Sequence, residues 1–142
     1  MTRYFAYGAN LDPVHMGECC PTARWLGTAI LAGHGFRIAA AGYGNAVAAP
    51  GETVYGVLWE LEPADEAALD AFEGMGEGLY RKAHTTVCSA DGEELSAMLY
   101  LPTDSAPGRP VAGYLERIIE VAKSLAFPAG YVEELQARIF QR

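Results

Sequence analysis

The chain has 142 residues, 51% of them apolar, and a formal net charge of −8. That length and composition fit one domain with room for a packed core and exclude a disordered polymer. The negative charge argues against a nucleic-acid backbone or an anionic membrane surface as partner, since such affinity rests on Lys and Arg; a small anionic ligand needs only a few local donors and stays open.

No apolar run reaches membrane-spanning length, and the start Met1-Thr2-Arg3-Tyr4-Phe5-Ala6-Tyr7-Gly8 lacks the layout of a signal peptide, so a cytoplasmic setting is expected. Cys19, Cys20 and Cys88 are odd in number and form no CxxC, which reads as free thiols. His15, His34 and His84 are scattered, with no HExxH or His/Cys cluster, so a metal site is not expected.

Arg3 to Gly8 reads as a short, buried, aromatic-rich strand. Gly8-Ala9-Asn10-Leu11 follows as a tight loop, and Asp12-Pro13 as a helix start, with Asp12 as N-cap and Pro13 at the first helical position. Such a turn points several backbone N–H groups one way, a natural cradle for a carboxylate or an oxyanion. Between Ala23 and Gly42 the anchors are Trp25, Ile30, Leu31, Phe36 and Ile38, with Gly33 and Gly35 marking a bend or bulge between two strands. Ala46 to Ala49 reads as a short strand before a Pro50-Gly51 turn, and Thr53 to Leu61 as a nearly continuous apolar, central strand.

Pro63 opens a helix whose first turn carries Asp65 and Glu66 and whose buried face is Ala68, Leu69, Phe72 and Met75. Glu73 closes it, just before Gly74, a residue suited to the left-handed position after a helix. There the negative end of the helix dipole, with Phe72, Met75 and Tyr80 excluding water, should raise the carboxyl pKa toward the value a general acid or base needs. The competing reading is a solvated stripe of Glu66, Asp70, Glu73 and Glu77 at helical spacing.

Tyr80 to Ser89 and Glu94 to Leu101 form a hairpin through Asp91-Gly92. Pro102 to Pro110 is a connector. Val111, Tyr114, Leu115, Ile118, Ile119, Ala122 and Leu125 mark an amphipathic helix, with Tyr114 in its buried row. After Phe127-Pro128, a last helix turns Tyr131, Val132, Leu135 and Ile139 inward. Early strands in antiparallel pairs and late helices give an α+β class, a small closed or half-closed barrel with helices outside.

Four segments also resemble the γ-glutamylcyclotransferase family. Tyr4-Phe5-Ala6-Tyr7-Gly8-Ala9-Asn10-Leu11 is similar to its YFAYGSNL signature, and Val54-Tyr55-Gly56-Val57-Leu58-Trp59 to its VxGVxW strand. Leu69-Asp70-Ala71-Phe72-Glu73-Gly74 with Tyr80 resembles its LDxxEG…Y segment. Tyr114, with Phe127-Pro128 and Tyr131, resembles its C-terminal YxxxI…GLPxxY pattern. The segments occur in order over nearly the whole chain.

The resemblance implies a small mixed, largely antiparallel β-barrel flanked by helices. It implies a cofactor-free, metal-free reaction in which the α-amine of a γ-glutamyl conjugate attacks its own γ-carbonyl. That attack releases 5-oxoproline and a free amine or amino acid. It places the catalytic carboxylate at Glu73, the substrate-holding loop at Tyr7, Gly8, Ala9 and Asn10, and pocket tyrosines at Tyr80, Tyr100 and Tyr114. Ala9 stands where the family has serine, so a hydroxyl is missing while the backbone N–H remains. The alternative is a non-catalytic small-molecule-binding or interaction module on the same fold. Neither reading requires a nucleic-acid or membrane partner, and a homodimer is compatible with both.

Overall fold

The computed structural model describes residues 1–139. Five strands, β1 (Thr2–Ala6), β2 (Arg24–Ile38), β3 (Gly44–Leu61), β4 (Tyr80–Ser89) and β5 (Glu94–Pro102), close into a barrel in the order β1-β3-β2-β4-β5. Every pairing is antiparallel except the one that closes the barrel, β1 with β5 through Tyr4 and Met98. Helices α1 (Pro13–Cys19), α2 (Pro63–Phe72), α3 (Tyr114–Ser124) and α4 (Ala129–Ile139) join and flank the strands. The expected mixed barrel with helices is therefore present. No helix among the described residues is long and apolar enough to cross a membrane.

The core follows from the apolar runs. Phe5, Val54, Val57, Leu58, Leu61, Leu69, Leu115 and Leu135 are almost wholly removed from water and belong to one continuous cluster. At about 1.5–3 kcal/mol per fully buried large side chain, this burial is the main force holding helices to barrel. Gly56 makes the closure tight: a Cβ there would lie 2.4 Å from the Ala6 carbonyl oxygen and 2.6 Å from Phe5 Cζ.

Several local expectations are corrected. Residues 24–38 form one long strand, not two, and the segment Ala46–Ala49 belongs to the same strand as Thr53–Leu61. Pro50-Gly51 is not a turn between elements. The ladder pairs Ala32 with Thr53 and then His34 with Ala48, so residues 49–52 bulge out opposite Gly33. Gly33 and Gly51 both have positive φ, as such a bulge needs. Arg37 clamps the bulge through two bonds to the Glu52 carboxylate, 3.0 and 2.8 Å.

Trp25, expected as a core anchor, is exposed and packs edge-on against Trp59 with centroids 5.2 Å apart. Phe72, expected on the buried face of α2, is exposed as well. Helix α3 begins at Tyr114 and not at Val111, because Gly113 sits at φ 83, a left-handed geometry that no helix passes through. Val111 is thereby left outside the helix and exposed. The predicted caps hold: Asp12 accepts from Val14 N–H at 3.0 Å, and Gly74 is left-handed at φ 67.

Candidate active site

One end of the barrel opens into a cavity of about 570 Å³. The end of β1, the 3-10 turn Ala9–Leu11, the β2–β3 hairpin, the end of α2, the start of β4 and the first turns of α3 all contribute to its wall. All eight residues singled out from the sequence, Tyr7, Gly8, Ala9, Asn10, Glu73, Tyr80, Tyr100 and Tyr114, line it. They come from four separate stretches of chain, brought together by barrel closure.

Glu73 is the residue at which α2 ends. Its backbone N–H reaches the Leu69 carbonyl at 2.8 Å, and Gly74 then turns the chain away. This geometry aims the side chain inward from the helix margin. Burial pushes its pKa from the ordinary 4.5 up to about 7. The cause is desolvation, one of the two expected from the sequence. The carboxylate has no hydrogen bond or ion pair among the described residues. The acidic stripe is thus divided. Glu66 and Asp70 pair with Lys82 at 2.5 and 3.0 Å, while Glu73 lines the cavity with no ion-pair partner among the described residues.

The loop after β1 forms a donor surface. In the 3-10 turn, Leu11 N–H and Asp12 N–H bond back to the Gly8 and Ala9 carbonyls at 3.0 and 3.2 Å. The preceding amides, those of Gly8, Ala9 and Asn10, donate to no protein acceptor among the described residues, as the first amides of any helical turn must. Two bonds fix the loop from outside. Trp59 Nε1–H donates to the Asn10 carbonyl at 3.0 Å, and Asn10 Nδ2–H donates to Tyr4 Oη at 3.0 Å. The Asn10 side-chain oxygen consequently faces His15 Nδ1 at 2.8 Å, so that nitrogen carries the proton. Gly8 is required by close approach: a Cβ would stand 2.8 Å from Tyr114 Oη.

The tyrosines divide by what their hydroxyls already do. Tyr7 donates to the Tyr100 carbonyl at 2.8 Å, and Tyr100 donates to Asp70 at 2.6 Å. Both line the wall, but their protons are engaged elsewhere. Tyr114 Oη accepts from Gly44 N–H at 2.9 Å, which leaves its own proton free. Tyr4 Oη accepts only from Asn10, and Tyr80 has no hydroxyl partner among the described residues. Burial raises the pKa of Tyr4, Tyr80 and Tyr114, Tyr80 to about 12, and the nearby Glu73 charge adds to the rise in each. All three therefore remain O–H donors at neutral pH and face one carboxylate.

Tyr4 was not singled out from the sequence. In a strand, residues 4 and 7 point to opposite faces, so only one of the two should meet a given cavity. Both do, as does Phe5, whose ring stacks on Tyr7 with centroids 6.3 Å apart, so the cavity reaches both faces of the chain at the end of β1. The aromatic that opens the quoted motif, Tyr4, was the available signal. No group of three or more His, Cys, Asp or Glu side chains comes together as a metal site among the described residues. Cys19, Cys20 and Cys88 are free thiols.

The sequence profile of the AIG2-like family matches residues 53–135, more than half the chain. The chain belongs to the AIG2-like family. Among curated relatives, it is 29% identical over 146 residues to a human protein named γ-glutamylcyclotransferase, covering 94% of this chain and 77% of that one. The mouse protein of the same name is 28% identical over 150 residues with the same coverage. A solved structure of a γ-glutamyl cyclotransferase superposes with a TM-score of 0.88 at 26% identity, over 96% of this chain and 87% of that one.

Proposed function

We propose that this AIG2-like protein is a γ-glutamyl cyclotransferase: it releases 5-oxoproline and a free amine or amino acid from a γ-glutamyl conjugate, without a cofactor. The reading is supported by the named relatives. The observation that carries it is Glu73, a desolvated carboxylate without a protein partner, in the same cavity as unengaged backbone amides and tyrosine hydroxyls.

The chemistry needs two protons taken from the attacking nitrogen and given to the departing one. The substrate's α-ammonium must lose one proton before its nitrogen can attack the γ-carbonyl carbon, and that nitrogen sheds a second as it becomes the lactam N–H. The departing nitrogen gains one proton before its bond to the carbon breaks and a second as it leaves as an ammonium. Glu73, with a pKa of about 7, takes the first proton and delivers it to the departing nitrogen, and the second passes to the released amine. The new nitrogen–carbon bond closes a five-membered ring, so most of the remaining acceleration comes from holding the glutamyl chain folded. The amides of Gly8, Ala9 and Asn10 bind the α-carboxylate. The free hydroxyls of Tyr4, Tyr80 and Tyr114 meet the negative charge that develops on the γ-carbonyl oxygen. Since the loop works through its main chain, Ala9 in place of serine leaves this function in place.

Incubation with γ-glutamyl-alanine and a panel of γ-glutamyl amines should yield 5-oxoproline. Glu73→Gln should lose activity by orders of magnitude while still binding substrate. Tight binding of 5-oxoproline or glutamate with no turnover by the wild type would favour the non-catalytic binding module instead. A twofold loss in Glu73→Gln would remove Glu73 from the proton-carrying role.

A further inference from the structure

Eight large apolar side chains are conspicuously exposed among the described residues, and four of them line this one cavity: Phe72 (58%), Leu79 (57%), Tyr43 (42%) and Val111 (41%). They come from four elements, namely the end of α2, the approach to β4, the β2–β3 hairpin and the segment before α3. Each is held in place. Phe72 packs edge-on against His15 with centroids 5.5 Å apart, and Tyr43 against Tyr114 at 5.1 Å. Val111 N–H bonds to the Gly42 carbonyl at 3.0 Å. Leu79 lies over Gly74, where a Cβ would meet its Cδ1 at 2.7 Å. Being both exposed and cavity-lining, the four form a collar at the mouth, outside Glu73 and the tyrosine hydroxyls.

The collar offers little to a second carboxylate. Among the described residues that line the cavity, Arg117 is the only Lys or Arg. Its Nε and Nη2 both bond Asp12 Oδ2, at 2.9 and 2.5 Å, and its Nη1 lies 3.4 Å from Glu120. Its charge is therefore largely answered within the protein. Exposed apolar groups clustered at one opening mark a binding surface, and here they surround the entrance to a cavity that holds the Glu73 carboxylate and the tyrosine hydroxyls.

We infer that the part of the conjugate released by this enzyme is an amine whose substituent is apolar and carries no charge while amide-linked, such as an aryl-alkyl or branched-alkyl amine, seated against Phe72, Leu79, Tyr43 and Val111. The inference rests on the cyclotransferase reading and specifies its leaving group. The γ-glutamyl end enters first, and the apolar end stays in the collar. A leaving amino acid would bring its own carboxylate to a cavity whose lining cation, Arg117, is already paired, with Asp12 and Glu120 nearby.

The test is a competition of kcat/KM, read as 5-oxoproline release, among γ-glutamyl-benzylamide, γ-glutamyl-isoamylamide, γ-glutamylglycine and γ-glutamylglutamate. The two apolar amides should exceed γ-glutamylglycine by about tenfold or more, a discrimination of the size apolar pockets deliver. γ-Glutamylglutamate should be the poorest. The double variant Phe72→Ser/Leu79→Ser should shrink that ratio to near unity, whereas Phe72→Leu, which keeps the rim apolar, should preserve most of it. Equal or better turnover of either carboxylate-bearing conjugate would overturn the inference and leave the cyclotransferase reading intact. So would a ratio unmoved by the double variant. No 5-oxoproline from any conjugate would overturn both.

Discussion

An ionised Glu73 in the folded cavity costs free energy that the unfolded chain avoids. Its folded pKa of about 7 lies above the ordinary 4.5, so between those values the folded state holds a proton that the unfolded state has lost. Stability from this group is complete below pH 4.5 and falls as pH rises through 7. Glu73→Gln should thus gain about 1–3 kcal/mol over wild type above pH 7 and little below pH 4.5. Urea unfolding of both proteins at pH 4.5 and pH 8 measures the difference; parallel behaviour would refute the buried carboxylate. A second residue-scale prediction concerns Gly8, whose added Cβ would press on Tyr114 Oη at 2.8 Å. Gly8→Ala should lower kcat/KM by about tenfold, and its effect should shrink when Tyr114→Phe removes the obstructing oxygen, a coupling that a double-mutant cycle reads directly. The placement of Glu73 was legible because Gly74 announces the helix end. Water exclusion by near neighbours was legible too, but the part of the wall that β1 and α3 supply, remote in sequence, was not. The exposure of Phe72 was equally hidden: its spacing on α2 fits the buried face, but the helix ends there at the cavity mouth.

At the level of elements, Asp12 ties the loop, α1 and α3 together. It caps α1 through Val14 N–H and accepts two bonds from Arg117 of α3. Burial alone would raise its pKa, but the Arg117 and Val14 bonds outweigh it and hold the carboxyl below its ordinary value. The stability it provides is present above the ordinary value of 3.8 and is lost as pH falls through the depressed one. Asp12→Ala should cost about 1–2 kcal/mol at pH 7, shrinking toward pH 2, as chemical unfolding at the two pH values would show. The cap itself was readable from Asp12-Pro13, but its partner, 105 residues away, was not. The continuity of β2 and β3 was misread for a related reason. Gly33, Pro50 and Gly51 look like punctuation locally, yet the ladder on either side carries both strands across the bulge. The apolar period of α3 likewise runs back to Val111, while Gly113 sets the true start.

For the molecule as a whole, barrel closure makes the site, since it brings the loop after β1 to the end of α2. The parallel join of β1 to β5 at Tyr4 and Met98 has no local signal, because hairpins are announced by turns such as Asp91-Gly92 and closures are not. The barrel was therefore anticipated from segment order and resemblance, and strand register came only from the structure. Gly56 is where closure is least tolerant, and Gly56→Ala should cost about 3 kcal/mol in a thermal or chemical melt; a neutral result would mean β1 and β3 pack less closely than described. The central claim, that Glu73 carries the proton from the attacking to the departing nitrogen, is tested most directly by the pH dependence of kcat/KM on one γ-glutamyl amide. The account predicts a rise of about tenfold per pH unit from pH 5 that bends at about 7, where Glu73 becomes the ionised base, and the loss of that bend in the residual activity of Glu73→Gln. A profile flat between pH 5 and 8, or a bend that survives the substitution, would contradict it.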